Sequence, residues 1–326
     1  MKHLIFDMHH LLHRTFFSLD QETKGNKNNY VDTSQKEVSI EELCSFSFHK
    51  SLNSMNKHYK LFTPNNVVAV FDTSSWRKDY TNGPNCITHK KYKGNRRKNL
   101  TPEKEKQFFI FDEYIKYFKK IIKEKTGILV LEGDKLEADD IIWGFINKHS
   151  SDEHIVITGD NDFLQMLKFP NVSVFDPINE KYKDLSEYDN DADYFMFHKC
   201  IRGDTGDNVM SSYPRIRSDK IKKAYTDDYT FSNIMEHEFS VDIFDEQGNL
   251  INKKYKTKDV FLENLLLMDL DSQPEDIKNK IVTMLDNTTR GKYNMLEFKK
   301  FCNDMDLNII SESIMNFTNL LVGKKP

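Results

Sequence analysis

Cysteine is scarce in this chain. Cys44, Cys86, Cys200 and Cys302 stand far apart and form neither a C-x-x-C pair nor a local Cys/His metal pattern. The spacing excludes the usual zinc-finger and dithiol signatures and reads as the reduced thiols of a cytosolic protein. Apolar runs are short: none approaches the roughly 18–20 residues that span a bilayer. The N-terminus passes directly into a strand ending at Asp7, so no signal peptide is expected. Internal repeats and low-complexity tracts are missing. So are Ser/His/Asp and Cys/His constellations, which argues against a covalent nucleophile. The eleven histidines carry no H-E-x-x-H spacing, so His9, His10 and His13 read as residues scattered along a helix rather than as ligands. A net charge of −4 does not by itself announce a nucleic-acid partner.

What is present is unevenly placed. Apolar residues make up 38% of 326 positions, enough for a core in one large or two smaller domains. Six of the ten residues in HKKYKGNRRK (89–98) are Lys or Arg, and a segregated basic patch is a better electrostatic footprint than the total charge. The acids cluster too, at Asp7, Asp72, Glu137–Asp139–Asp140, Asp160–Asp162 and Asp204–Asp207. Three of these clusters end apolar runs, HLIFD, NVVAVFD and HIVITGDND. Short continuous apolar runs read as buried strands, and parallel sheets gather ligands beyond their carboxyl ends. Carboxylates packed together repel one another and resist ionisation, so such a site makes sense as a cage for hard divalent cations such as Mg²⁺ or Mn²⁺.

Strand-like runs alternate with helical patterns to about residue 180, the signature of parallel βαβ units. A polar segment at 20–37 reads as an exposed loop, and helices are expected over 39–60 and 107–125, with a further strand in GILVLEG (127–133). From Glu137 onward Ala138, Ile141, Ile142, Phe145 and Ile146 keep the spacing of one buried helical face. Residues two apart on a helix point about 200° from each other, which puts Glu137 at or before the N-cap if it is to share a site with Asp139. Beyond about residue 185 the pattern turns mainly helical, with a possible hairpin at 239–256 around Gln247–Gly248–Asn249.

The ordered motifs, strand-end Asp7 and Asp72, YKGNR (92–96), EADD (137–140), TGDND (158–162) and GDTGDN (203–208), resemble the 5′-nuclease superfamily of flap endonucleases and 5′–3′ exonucleases. The similarity is closest to its phage-encoded branch, which includes the T-even ribonuclease H. It implies an α/β, PIN-like domain at 1–185 with a central mainly parallel sheet and a helical arch in the basic region 73–106. A helical lobe at 186–326 would grip duplex DNA. It also implies a two-ion Mg²⁺ site, with Mn²⁺ as a substitute, held by Asp7, Asp72, Glu137, Asp139, Asp140, Asp160, Asp162, Asp204 and Asp207. Lys93 and Arg96 would approach the scissile phosphate. Tyr92, Lys90, Lys91 and Arg97 would contact nucleic acid near the site, and Arg215, Arg217, Lys220 and Lys222 the duplex. The substrates implied are branched or nicked duplex DNA and RNA–DNA hybrids, with removal of RNA primers in phage replication as the role and the host cytoplasm as the place. A monomer is expected.

Family members commonly follow GDxxDN with a glycine-rich hairpin that binds K⁺; here VMSSYPRIRSDKIKKAY (209–225) has no glycine. Two rival functions remain. A haloacid-dehalogenase-like phosphatase needs a D-x-D after its first strand, where this chain has Asp7–Met8–His9. A non-catalytic, structure-specific DNA-binding protein would ordinarily have lost ligands. Asp134, Asp176 and Asn161 read as structural, as do Trp76 and Trp143. The apolar stripe of 295–326 is expected to pack onto the helical lobe; the alternative, implied by the resemblance, is docking of a phage single-stranded-DNA-binding protein.

Overall fold

The computed structural model describes residues 1–25, 40–98, 100–244 and 250–324. Its first part runs β1 (Lys2–Asp7), α1 (Met8–Gly25), α2 (Ile40–Phe62), β2 (Asn66–Val70), α3 (Trp76–Asn82), α4 (Pro102–Lys125), β3 (Leu129–Leu131), α5 (Ala138–Lys148), β4 (Glu153–Ile157), β5 (Val172–Asp176) and β6 (Lys181–Tyr182). The rest comprises α6 (Ala192–Arg202), α7 (Ser218–Thr226), α8 (Asp228–Met235), β7 (Glu238–Phe244), β8 (Leu250–Lys256), α9 (Thr257–Met268), α10 (Glu275–Asn287), α11 (Met295–Asp304), α12 (Asn308–Glu312) and α13 (Thr318–Val322).

Strands β1 to β6 form one sheet in the order β3-β2-β1-β4-β5-β6, with only the β5–β6 pair antiparallel. The order reverses between β1 and β4, and that switch point fixes where a ligand crevice opens. Side chains alternate across the sheet. Leu4, Phe6, Val67, Ala69, Ile155 and Ile157 pack against α1, α2 and α4, while Ile5, Val68, Val70, Val156 and Val174 pack against α5 and Trp76. Both faces are covered, which is why the strands read as unbroken apolar runs. On α5 the residues Ile141, Ile142, Phe145 and Ile146 are buried, each worth roughly 1.5–3 kcal/mol.

Several boundaries differ from the sequence reading. Helix α1 continues to Gly25, so the polar stretch from residue 20 begins as helix; residues 26–37 of the expected loop lie outside the described residues. Helix α4 starts five residues before 107, with Thr101 as N-cap accepting from the Lys104 N–H at 3.4 Å and Pro102 in its first turn. Its first turns are Glu and Lys and show no apolar period. Between α3 and α4 the described residues 83–98 form turns and bends, with no further helix in the region where an arch was expected. The hairpin is present, Phe239 pairing with Tyr255, though its turn at 247–249 lies outside the described residues.

The C-terminal half is shared between layers. Residues of α6 to α9, including Cys200, Ile201, Ile221, Ile234 and Phe261, form a cluster of their own. Ile277 and Ile281 of α10 pack with α5. The stripe expected on the helical lobe packs elsewhere: Phe298, Cys302, Ile310, Ile314, Phe317 and Leu320 join the apolar layer of α1, α2 and α4 that covers one face of the sheet. The Val67 N–H donates to the Gly323 carbonyl at 2.8 Å, which draws the chain end to the β2 edge.

Candidate metal centre and its cationic rim

Asp7 ends β1 in register with Val70. Its Oδ2 accepts from the Thr158 hydroxyl just past β4 at 2.8 Å, and its Oδ1 from the His10 N–H at 3.2 Å. Asp72 lies two residues beyond β2 and accepts the Ala138 N–H at 2.5 Å, where the positive end of the α5 dipole favours an anion. Glu137 is the N-cap of α5, as expected, with Asp139 and Asp140 in the first turn. After β4 the Asp160 N–H donates to Thr158 Oγ1 at 3.1 Å and the Asp162 N–H to Asp160 Oδ1 at 2.9 Å. Asn161 accepts from Lys183 at 2.6 Å and so shapes the turn. Asp7, Asp72, Glu137, Asp139, Asp160, Asp162 and Asp207 line one cleft of about 550 Å³, walled by His9, His10, His13, Phe108 and Phe111.

Two of the expected ligands do not face that cleft. Asp140 is fully buried. Its oxygens accept from Arg77 at 2.7 and 3.0 Å, from the Glu137 N–H at 3.1 Å and from Gln273, so although Glu137, Asp139 and Asp140 bring oxygens within 4.8 Å of one another, those of Asp140 are already engaged. Successive helical residues are turned about 100° apart, and that rotation carries Asp140 away from the opening that Asp139 faces. Asp204 receives the Asp207 N–H at 3.1 Å and lies 3.4 Å from Lys199. Arg77, which the sequence did not single out, is the hub beneath the site. Its guanidinium binds Asp140, Glu137 Oε2 at 3.0 Å and the Leu267 carbonyl at 2.7 Å, and lies 4.8 Å from the Trp76 ring centroid. Asp134 pairs with Lys280 and Asp176 caps its own turn, both structural.

YKGNR lies along GDTGDN. The Lys93 N–H donates to the Asp207 carbonyl at 2.8 Å, Asn95 to the Thr205 carbonyl at 2.8 Å, and Asn208 to the Lys91 carbonyl at 2.9 Å. The Lys93 ammonium donates to Glu137 Oε1, and Arg96 to Asp207. Lys199, another residue missed in the sequence, bridges Asp162 and Asp204 from the last turn of α6; only the fold brings it to Asp162, which is distant in sequence. Gly203 makes the GDTGDN turn at φ +71°, where a Cβ would meet the Met210 and Ser211 backbone at 2.6 Å.

The charge balance is divided. Burial and the Asp72 charge push Asp7 up to about 7. Burial and Asp140 raise Asp139 well above the carboxylate range, and burial with Asp162 raises Asp160. For Glu137 burial works the same way, but Lys93 and Arg77 outweigh it and hold the group at about 2. At Asp204 burial also pushes upward, but Lys199 together with the Asp207 and Gly206 N–H groups outweighs it, and the group is lowered. Carboxylates that lack a cation beside ones that have a lysine are a donor set suited to hard, oxygen-bound divalent ions.

The remaining expected contacts separate. Tyr92 is 5% exposed and its hydroxyl donates to Asp207 at 2.8 Å, so it is a buried strut, with no free face for a base; the basic surroundings concealed that. Arg97 sits at the cleft edge over the Phe108 ring at 4.5 Å, paired with Asp112. Lys90 is half-buried and Lys91 exposed. Arg215, Arg217, Lys220 and Lys222 are exposed around the start of α7, Lys222 paired with Asp189 at 2.6 Å.

Residues 2–195 match the family model of the 5′–3′ exonuclease N-terminal resolvase-like domain. The chain is 28% identical over 247 residues to the ribonuclease H of Enterobacteria phage T4, covering 72% of this chain and 75% of that protein. It is 30% identical over 157 residues to the flap endonuclease Xni of Pseudoalteromonas translucida (strain TAC 125), covering 47% of this chain and 54% of that protein. Its fold is shared with the T5 D15 protein co-crystallised with metal ions, at a TM-score of 0.60 and 18% identity over 88% of this chain and 99% of that one. A D15 flap endonuclease complex with DNA and metal ions matches at a TM-score of 0.59 and 16% identity, over 88% and 98% of the respective chains.

Proposed function

Because this chain belongs to the 5′–3′ exonuclease family, we propose that it is a metal-dependent 5′-nuclease. In this reading it hydrolyses phosphodiesters at 5′ ends or flaps of duplex DNA and in RNA–DNA hybrids, and its role is removal of RNA primers during phage DNA replication. The observation that carries the proposal is the cleft at the switch point, where seven carboxylates face a rim bearing Lys93 and Arg96. A single acidic residue at a strand end is commonly a turn former; seven brought to one cleft from five separate segments are not explained that way.

The bound ions, taken as Mg²⁺ with Mn²⁺ as a substitute, would activate water and offset charge on the attacking and leaving oxygens. Asp7, Asp72, Glu137, Asp139, Asp160, Asp162 and Asp207 would hold them, with Asp204 supporting Asp207, and Asp140 supporting Glu137 through Arg77. Lys93 and Arg96 act on the phosphate as its charge grows, the arginine offering a planar fork and the lysine a compact point charge. Arg215, Arg217, Lys220 and Lys222 hold the duplex backbone at a distance from the chemistry. Among the described residues no helix is long and apolar enough to cross a membrane.

Incubation of 5′-labelled hybrid and flap substrates with Mg²⁺ or with EDTA tests the reading. Metal-dependent release of short 5′ products supports it. Tight binding without hydrolysis of either substrate would leave the non-catalytic DNA-binding alternative standing.

A further inference from the structure

Lys93 is held by its backbone and free only in its side chain. Its own N–H is tied to Asp207, the Arg96 N–H returns to its carbonyl at 3.1 Å, and the Gly94 N–H closes on Lys91 at 2.8 Å. From that fixed base the ammonium reaches Glu137 Oε1 and lies 3.7 Å from Asp207 Oδ2 and 5.0 Å from the Tyr92 ring centroid. The other Glu137 oxygen is already taken by the Ser75 hydroxyl at 2.6 Å and by Arg77 at 3.0 Å. Oε1 is therefore the oxygen Glu137 has left for a cation, and Lys93 occupies it. An ammonium and a divalent ion cannot share that oxygen closely without strong like-charge repulsion.

We propose that Lys93 is a latch on its own metal site: it sits on Glu137 until a divalent cation displaces it, and only the displaced ammonium is available to the phosphate. Cation loading then precedes phosphate engagement, and the contact that orders the two steps also weakens cation binding. Arg97 differs. It lines the same cleft but pairs with Asp112, which lies outside the ligand set. The latch rests on the metal-dependent reading above.

The test uses the full chain without DNA, with calcium as the probe and isothermal titration as the readout, each variant first checked for a wild-type thermal melt. Lys93→Met should bind calcium about tenfold more tightly than wild type, the scale of one lost charge-assisted hydrogen bond. Arg97→Gln removes the same charge from the cleft edge without vacating any of the seven carboxylates, and should stay within about twofold to threefold of wild type. Lys93→Arg keeps a cation on Glu137 and should bind as wild type does. In wild type, acetylation of Lys93 followed by mass spectrometry should be slow without calcium and faster at saturation. Equal affinities for Lys93→Met and Arg97→Gln, or Lys93 acetylation unchanged by calcium, would overturn the latch. Failure of every variant and of wild type to bind calcium would instead bring down the metal-dependent reading, and the latch with it.

Discussion

In the proposed metal centre Asp7 would couple cation binding to pH. Burial and the neighbouring Asp72 lift it from 3.8 to about 7, so the carboxylate needed as a ligand is about one-tenth ionised at pH 6 and about nine-tenths at pH 8. Cation affinity should therefore rise by about tenfold across that interval, with about half a proton released per site at pH 7. Asp139 and Asp160, raised as well, steepen the dependence. His10, lowered to about 4 by burial and Arg14, is neutral throughout. Calcium titrations in two buffers of different ionisation enthalpy measure the proton count directly. Stability has the opposite sign. Because the folded pKa lies above the unfolded one, the contribution from Asp7 is fully present below about pH 4 and is lost as pH rises through 7, a loss on the order of 4 kcal/mol. Without metal, Asp7→Asn should therefore gain stability over wild type between pH 5 and 8. An affinity flat from pH 6 to 8, or a stability gain that shrinks with rising pH, would refute this account of Asp7.

Arg77→Met strands Asp140 and part of Glu137, and should cost about 3–5 kcal/mol in urea unfolding; a cost under about 1 kcal/mol would show that the buried pairs contribute little. Lys93→Ala and Arg96→Ala should each lower the single-turnover rate by about a hundredfold or more at saturating enzyme, with a modest loss of affinity. A large affinity loss with unchanged saturated turnover would assign Lys93 to binding and remove it from the chemical step. Replacing Arg215 and Arg217 together by Ala should weaken duplex binding and reduce the salt slope by about 2 while saturated turnover is kept, and an unchanged slope would remove them from the duplex surface.

How much of this was legible in the sequence depended on the range of the interaction. The strands and their acidic ends were readable because each strand is buried on both faces and ends in a polar turn. Glu137 as N-cap followed from helical geometry and the apolar period of α5. Long-range pairing was not readable. Arg77 meets Glu137 and Asp140 across 60 and 63 positions, and no local pattern distinguishes it from its neighbour Lys78 in WRKDY. The junction of YKGNR with GDTGDN spans more than a hundred residues, and it turns Tyr92 inward from a segment whose charge announces solvent. The C-terminal stripe was recognised as apolar, but its period does not say which apolar surface covers it; the partner proved to be the apolar layer of α1, α2 and α4 that covers one face of the sheet.

In the proposed nuclease the acidic cleft performs hydrolysis and the basic surfaces perform binding. Asp139→Asn separates them, since it removes one carboxyl group that faces the cleft and no hydrogen bond to the basic rim. Single-turnover cleavage of a 5′-flap substrate, with binding measured on the same samples by mobility shift in calcium, gives the direct comparison. The account predicts an intact or tighter complex and a cleavage rate reduced by about a thousandfold or more in Mg²⁺. Near-wild-type cleavage by Asp139→Asn, or loss of the complex with the rate, would contradict it.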